Sequence, residues 1–500
     1  MDKFLEIIRG RNLEFHEKRG ALLHQVQYGV ECIKVKEETV RLLQDNILCD
    51  IHEGNCPISP RYILPDYAKF LKNGSEYLEL KAPEDLYQAV NALMIIYQYV
   101  PSVTGYPVYL GALDELLSPY ENTVDANALY SLIRMLLTHV SRVFPDGFVH
   151  ANIGPNETKV GKVILELELE LKNTVPNLSL KASKDTPDSF LMIGIKTALE
   201  IGKPYFVNHE QLQEQLGDNY GIASCFNSLK IGGGSHTLVR LNLKKIAETS
   251  VSKEDFFSDK LPNAVFHLVD LINARARFIV EESKFFENSF LAKEGLIDLS
   301  KFTSMAGIFG LFECVEKLTG GQKMGEALEA DEFSLKIIKK TYELIKSYKG
   351  EYCEGYQGEI AFHAQSGIDT DIETTAGVRF KSGYEPSLIE QIKLQGKLHK
   401  LFDAGVSDIY VLEETAKENL TAVLSIIKGA FKSGIKVMAV NTQNSEFIRI
   451  TGYLVKKSDI KAYKDNQKIR EDTVKLGVDS IQNSKILDRK VRSVYESTNN

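Results

Sequence analysis

Six cysteines, at positions 32, 49, 56, 225, 314 and 353, are the most reactive side chains in the chain. None form a C-x-x-C pair, and six thiols in 500 residues are not a disulfide framework, so six reduced thiols are expected. Their spacings supply no zinc knuckle; His52-Glu53 is isolated and Asn208-His209-Glu210 reads as a helix start, so no bound metal is expected. Cys314, in GIFGLFECVEKL, reads as a core thiol on a packed helix, and Cys353, in EYCEGYQGE, as a loop thiol. Cys225 lies in Asp218–Leu229 (DNYGIASCFNSL), between predicted strands at 204–208 and 235–243. A second segment, Asn444–Val455 (NSEFIRITGYLV), follows a predicted strand that ends at Asn441. Taken alone, Cys225 reads as a buried structural thiol and Gly452 as a turn glycine.

Other polar groups could bind or move protons. His150–Glu157 reads either as a plain turn or as a substrate contact. Gly232-Gly233-Gly234-Ser235-His236 could cradle a phosphate through its N–H groups, but it lacks the Lys-Ser/Thr of a P-loop and reads better as a flexible connector. His236 is a candidate acid/base, and Glu313 and Glu373 are candidates for orienting a substrate, with His363 and Gln365 behind them.

The elements that must position these groups change character along the chain. Residues 1–46, 83–100 and 127–143 carry apolar residues at helical spacing. VILELELELK at 163–172 alternates strictly and is predicted as a half-buried strand. Strands are also expected at 177–183, 204–208 and 235–243, with helices at 188–201, 262–290 and 325–348. The last third alternates helix 387–404, strand 407–413, helix 414–432 and strand 435–441, the pattern of a parallel sheet covered by helices. The composition is 43% hydrophobic and 26% charged, as in ordinary globular proteins. A net charge of -8 argues against nucleic-acid or anionic-membrane binding driven by overall charge. No apolar run nears the roughly 20 residues of a membrane span and the start lacks a signal peptide's apolar core, so a cytoplasmic protein is expected.

Arg449-Ile450-Thr451-Gly452-Tyr453 resembles the fingerprint of the glycyl radical enzymes. PNLSLK at 176–181, GKPYFVN at 202–208, Asn219-Tyr220-Gly221 and Cys225 resemble that family's cysteine half-barrel, in the right order. The likeness covers about 160 to 455 and is nearest to the YjjI-type members. It departs at Thr451, where Ser, Ala or Cys is usual, and at Phe447. The resemblance implies an α/β fold, a ten-stranded α/β barrel with inward Cys and Gly loops and a helical N-terminal region. Residues 1–150 would pack on a barrel of 151–455, with the Cys loop at 218–234 and the glycyl radical loop at 442–456, followed by a tail at 456–500.

It further implies that Gly452 stores a radical and that Cys225 is the working thiyl. A radical at a glycine α-carbon is delocalised over the flanking amides, which requires a planar centre, and glycine has no Cβ to oppose planarity. An S–H bond is close in strength to many activated C–H bonds, so hydrogen transfer is reversible. Arg449 and Tyr453 would support the radical loop, and Asn227, His236, Glu313 and Glu373 are candidate substrate contacts. The implied partners are a radical S-adenosylmethionine activase, which would hold the S-adenosylmethionine and the [4Fe-4S] cluster, and a small polar substrate, with a second copy of the chain as a further candidate. Pyruvate formate-lyase relatives use two adjacent cysteines, but Ser224 holds that position here. Eliminating members place a glutamate where this chain has Asn227, which cannot act as a base. GSHTLVRLNL, GIFGLFE and ETTAGVRF resemble the barrel of anaerobic ribonucleotide reductase, but no cysteine lies between Cys353 and Gly452 to make its zinc site. The rival reading is an inactive barrel homologue that binds a nucleoside-like ligand.

Overall fold

The computed structural model describes residues 2–10, 15–51, 53–364, 371–471 and 473–495, which leaves His52 and Gln365 outside. Helices dominate the first 145 residues. Asp85 and Asp125 start Leu86–Ile96 and Ala126–Val143, each accepting a hydrogen bond from an N–H of the first turn. Leu129, Leu132, Ile133, Leu136, Leu137 and Val140 then bury one helical stripe.

Fifteen strands follow one another among the described residues. They are β1 (Leu48–Cys49), β2 (Tyr62–Leu64), β3 (His150–Ile153), β4 (Asn177–Ala182), β5 (Tyr205–Asn208), β6 (Tyr220–Ala223), β7 (Asn227–Lys230) and β8 (Gly233–Asn242). Then come β9 (Phe302–Phe309), β10 (Ala361–His363), β11 (Asp408–Leu412), β12 (Val437–Thr442), β13 (Phe447–Arg449), β14 (Leu454–Lys456) and β15 (Val491–Arg492). Six form a sheet in the order β15-β11-β12-β5-β4-β3. Its two parallel halves run against each other at β12 and β5. A five-stranded sheet places β8, β9 and β10 parallel, with β1 and β2 antiparallel on β8. The pairings therefore give two sheets and two separate hairpins rather than one ring of ten strands. The sheets approach where His363, ending β10, bridges Gly405 just before β11.

Two expectations are corrected. Residues 163–171 are helical, within Lys159–Leu171, not a strand. Thr158 caps that helix through Gly161 N–H and Lys172 ends it in the left-handed region. Leucine and glutamate favour helix over strand, and both sides of this helix are covered. Leu165 and Leu167 enter the main core, while Leu169 packs on Ile201, Phe447 and Leu454. The glycine run 232–234 is also not a connector. Gly233 and Gly234 pair with Leu64 and Ile63, and a Cβ on Gly234 would lie 1.9 Å from the Tyr62 carbonyl oxygen. Close approach of β2 therefore selects glycine there.

One apolar core packs the six-stranded sheet against its helices, and a second packs the five-stranded sheet on the helices Leu261–Arg277, Leu311–Leu318 and Leu328–Lys346. A third joins Tyr205, Val207, Ile409, Val437 and Ala439 of the sheet to Ile222 and Phe226 of one hairpin and Ile448, Ile450 and Tyr453 of the other.

Candidate functional site

The hairpin β6–β7 pairs Ala223 with Asn227, which leaves Ser224-Cys225-Phe226 at its tip. Ser224 (φ +24°) and Phe226 (φ +65°) are both left-handed. Such non-glycine backbone costs on the order of 1–3 kcal/mol per residue and persists only where its surroundings enforce it. Here Asn227 Nδ2 donates to the carbonyls of Ser224 (3.2 Å) and Ala223 (3.4 Å). His363 Nε2 lies 3.2 Å from the Cys225 carbonyl oxygen. Below the tip, the Asn152 side chain acts as a substitute strand edge, donating to Ile222 O (2.8 Å) and accepting from Ile222 N–H (2.9 Å). Burial pushes His363 down to about 3, so its ring is neutral.

The hairpin β13–β14 pairs Arg449 with Leu454, and Ile450 N–H donates to Tyr453 O at 3.1 Å. Its tip meets the tip of the other. A Cβ on Gly452 would fall 2.3 Å from Cys225 Cα and 2.4 Å from Cys225 N. Only a residue without a side chain fits. The Tyr205 hydroxyl is 2.7 Å from the Gly452 carbonyl oxygen and 3.0 Å from Asn177 Oδ1, and it accepts from Arg449 Nη1. Arg449 also donates to Gly202 O, 3.1 Å from Nε, and its guanidinium lies 4.0 Å over the Tyr205 ring. Burial holds Arg449 down at about 10. Beneath it, Lys203 and Glu168 form an ion pair at 2.8 Å with no solvent exposure. The Tyr453 ring packs edge-on to Phe148 at 5.1 Å, and its hydroxyl is 3.4 Å from Ser480 Oγ.

A cavity of about 30 Å³ adjoins Cys225, lined by Arg61, Tyr62, Thr104, Phe148, Ser224 and Thr451 among others. A second, of similar size, lies against Thr451, Thr375, Arg379, Ser480 and Arg489. Thr451 borders both, and its hydroxyl is buried with no hydrogen-bond partner. Thr374, Thr375, Ser382 and Ser484 line both the second cavity and a surface cleft of about 420 Å³. Arg379 donates to Ser407 O (3.1 Å) and Oγ (2.8 Å), and Arg240 makes a bidentate pair with Asp371 at 2.7 and 2.9 Å.

The structure thus brings Cys225 and Gly452 into contact and sets Arg449, Tyr453 and Asn227 around them. His236 is elsewhere, stacked on Phe302 with Nε2 2.9 Å from Tyr352 O, and it lines neither cavity. Glu313 and Glu373 line the surface cleft, and Glu313 is occupied by Thr375 N–H (3.0 Å) and Oγ1 (2.6 Å). His150 is buried in β3, its ring 5.3 Å from Tyr205, where burial, then Arg449 and Lys203, push it down to about 3. Sequence reasoning missed Arg61, Tyr62 and Thr104. It held Asn177, Tyr205 and Arg379 inside its motifs without giving them a role. No group of three or more His, Cys, Asp or Glu side chains among the described residues could hold a metal ion. No helix among them is long and apolar enough to cross a membrane.

The family model "Glycyl radical enzyme YjjI-like" matches residues 13–492. The chain is 39% identical over 497 residues to the protein YjjI of Escherichia coli strain K12, covering 98% of this chain and 95% of that one. The fold is similar to the anaerobic ribonucleotide reductase of Thermotoga maritima in complex with dATP and CTP (TM-score 0.71, 12% identity, 93% of this chain and 94% of that one). It is equally similar to the hydroxyproline dehydratase of Clostridioides difficile (TM-score 0.71, 12% identity, 99% and 89%). The chain belongs to the YjjI-like glycyl radical enzyme family.

Proposed function

We propose that Gly452 is the radical storage site and Cys225 the residue that attacks substrate. The observation that carries this is the packing of Gly452 against the Cys225 backbone, with no room for a Cβ. A radical on the Gly452 α-carbon supplies one-electron chemistry. The Cys225 thiol gives its hydrogen atom to that carbon, and its sulfur then takes one from a substrate C–H bond. Each exchange breaks one bond to hydrogen and makes one. Tyr205 and Arg449 position the Gly452 peptide, and His363 and Asn227 hold the Cys225 tip. The two sheets serve as the walls of the barrel around these loops. A separate radical S-adenosylmethionine enzyme installs the radical, and dioxygen destroys it, so the setting is anaerobic. Ser224 beside the thiol and Asn227 two residues after it argue against acyl transfer through a second cysteine and against a glutamate base on this loop.

The test is anaerobic activation followed by electron paramagnetic resonance. A doublet is expected in the wild type and none in Gly452→Ala. In deuterated water the doublet should collapse as the α-hydrogen exchanges through the thiol, and Cys225→Ser should block that collapse while keeping the signal. Air should then cut the activated chain at Gly452. No radical after treatment with a competent activase would refute the reading.

A further inference from the structure

The cavity beside Cys225 contains a cation as well as a thiol. Arg61, just before β2, lines it and is 8% exposed. Its Nη1 donates to Ile51 O (2.7 Å) and Glu53 Oε1 (3.1 Å), while Nε is buried with no partner. A buried donor without a partner is destabilising, and an acceptor in the cavity would remove that cost. Glu53 cannot take a second bond from Arg61 cheaply. It already accepts from Leu238 N–H (2.9 Å) and Thr237 Oγ1, and lies 3.4 Å from Arg275. Ile51, Val103, Val108 and Phe148 make an apolar wall, and Thr451, whose buried hydroxyl has no partner, lines both cavities.

We propose that this chamber binds a short-chain carboxylate, with Arg61 holding the carboxylate, the apolar wall holding a chain of two to four carbons, and Thr451 reaching an oxygen substituent on it. The planar fork of a guanidinium matches a carboxylate. Size points the same way. Two cavities of about 30 Å³ that share Thr451 as a lining residue hold roughly two to three waters each, at 10–15 Å³ of accessible volume per water. That leaves space for about four to six non-hydrogen atoms, too few for a nucleoside. A single guanidinium whose Nη1 is already spent on Ile51 and Glu53 is also a poor match for a phosphate dianion, which asks for more donors.

The proposal rests on the reading of this chamber as the reaction site, but its test needs no radical. Binding to the full-length, unactivated protein is measured by ligand-observed NMR and calorimetry. The probes are acetate, propionate, glycolate and lactate, with acetamide, propionamide and 1,2-propanediol as neutral counterparts. The acids are expected to bind at least tenfold more tightly than the neutral molecules. Arg61→Gln should weaken the acids tenfold or more, and Arg61→Lys less. Thr451→Val, which keeps the side-chain volume, should remove the preference of lactate over propionate while leaving propionate unchanged. Neutral molecules binding as well as acids, acid affinity unchanged in a folded Arg61→Gln protein, or no acid binding at millimolar concentration would each overturn it. Failure to form a radical would leave these binding results standing, so the two readings fail separately.

Discussion

The hairpin that carries Cys225 and the hairpin that carries Gly452 meet tip to tip, yet different forces hold them. The cysteine tip is strained in its own backbone, at Ser224 and Phe226, and is braced at the main chain. His363 and Asn227 bond its carbonyls, and a Cβ on Gly405 would lie 2.2 Å from the Phe226 carbonyl oxygen. The glycine tip is held by side chains, through the Arg449–Tyr205–Gly202 cluster and the helix Thr473–Ser484. The Thr473 Oγ1 of that helix accepts from Gly147 N–H, and its Gly477 lies close against Val455. The cysteine is thus built into its loop, and the glycine is docked onto it. Under the proposed function, the residue to be modified is the one held by side chains rather than by the backbone of its own loop.

The contrast can be tested by perturbing each side. Gly452→Ala should have the largest effect. Its methyl must displace the Cys225 backbone, so complete loss of the radical signal and a stability loss of about 1–3 kcal/mol are expected, read by spin quantitation and urea unfolding. Arg449→Met removes charge-assisted hydrogen bonds worth about 1.5–3 kcal/mol. It should raise amide hydrogen exchange in 447–456 by tenfold or more while leaving 220–230 unchanged. Equal effects on both hairpins would break the contrast.

The cysteine side carries a pH signature. Burial places His363 at about 3 in the folded chain, below the roughly 6.5 of an unfolded histidine. The unfolded chain therefore binds the extra proton, and stability from this ring is complete above about pH 6.5 and lost as pH falls toward 3. His363→Gln should flatten the slope of unfolding free energy against pH in that window by one proton, about 1.4 kcal/mol per pH unit. An unchanged slope in a urea-melt series would mean that His363 is not buried neutral at the Cys225 carbonyl. Asn227→Ala should have the smallest effect, about 1 kcal/mol, with faster exchange confined to the 223–227 tip.

Much of the sheet was legible before the fold was known. Strand-helix alternation in 387–441 and the runs at 177–182 and 205–208 rest on long apolar segments with clear boundaries. The Leu-Glu repeat at 163–172 misled because alternation cannot tell a strand from a helix buried on two sides. Residue types alone left Cys225 and Gly452 ambiguous, and the family resemblance singled them out. Only the fold puts them in contact. Arg61 and Tyr62 were invisible for a physical reason. β2 is three residues long and shows no periodicity, and its partner β8 lies about 170 residues away in the chain. His236 drew attention as a histidine beside glycines, but those glycines admit β2 and the ring is packed in the sheet.

The short strand β15 has a mechanical consequence. It adds Val491 and Arg492 to the edge of the six-stranded sheet beside β11, and Glu413 bonds Ser493 Oγ (2.9 Å) and Val494 N–H (3.1 Å) just beyond. The chain after β14 is therefore a strap buckled at its far end, with the glycine hairpin beneath it. Pulling the hairpin away tightens the strap, and the load falls on two residues of ladder, the Glu413 bonds and the contacts of Arg489 and Lys490 with Ile409 and Glu385. Undoing the buckle would slacken the strap without touching the glycine.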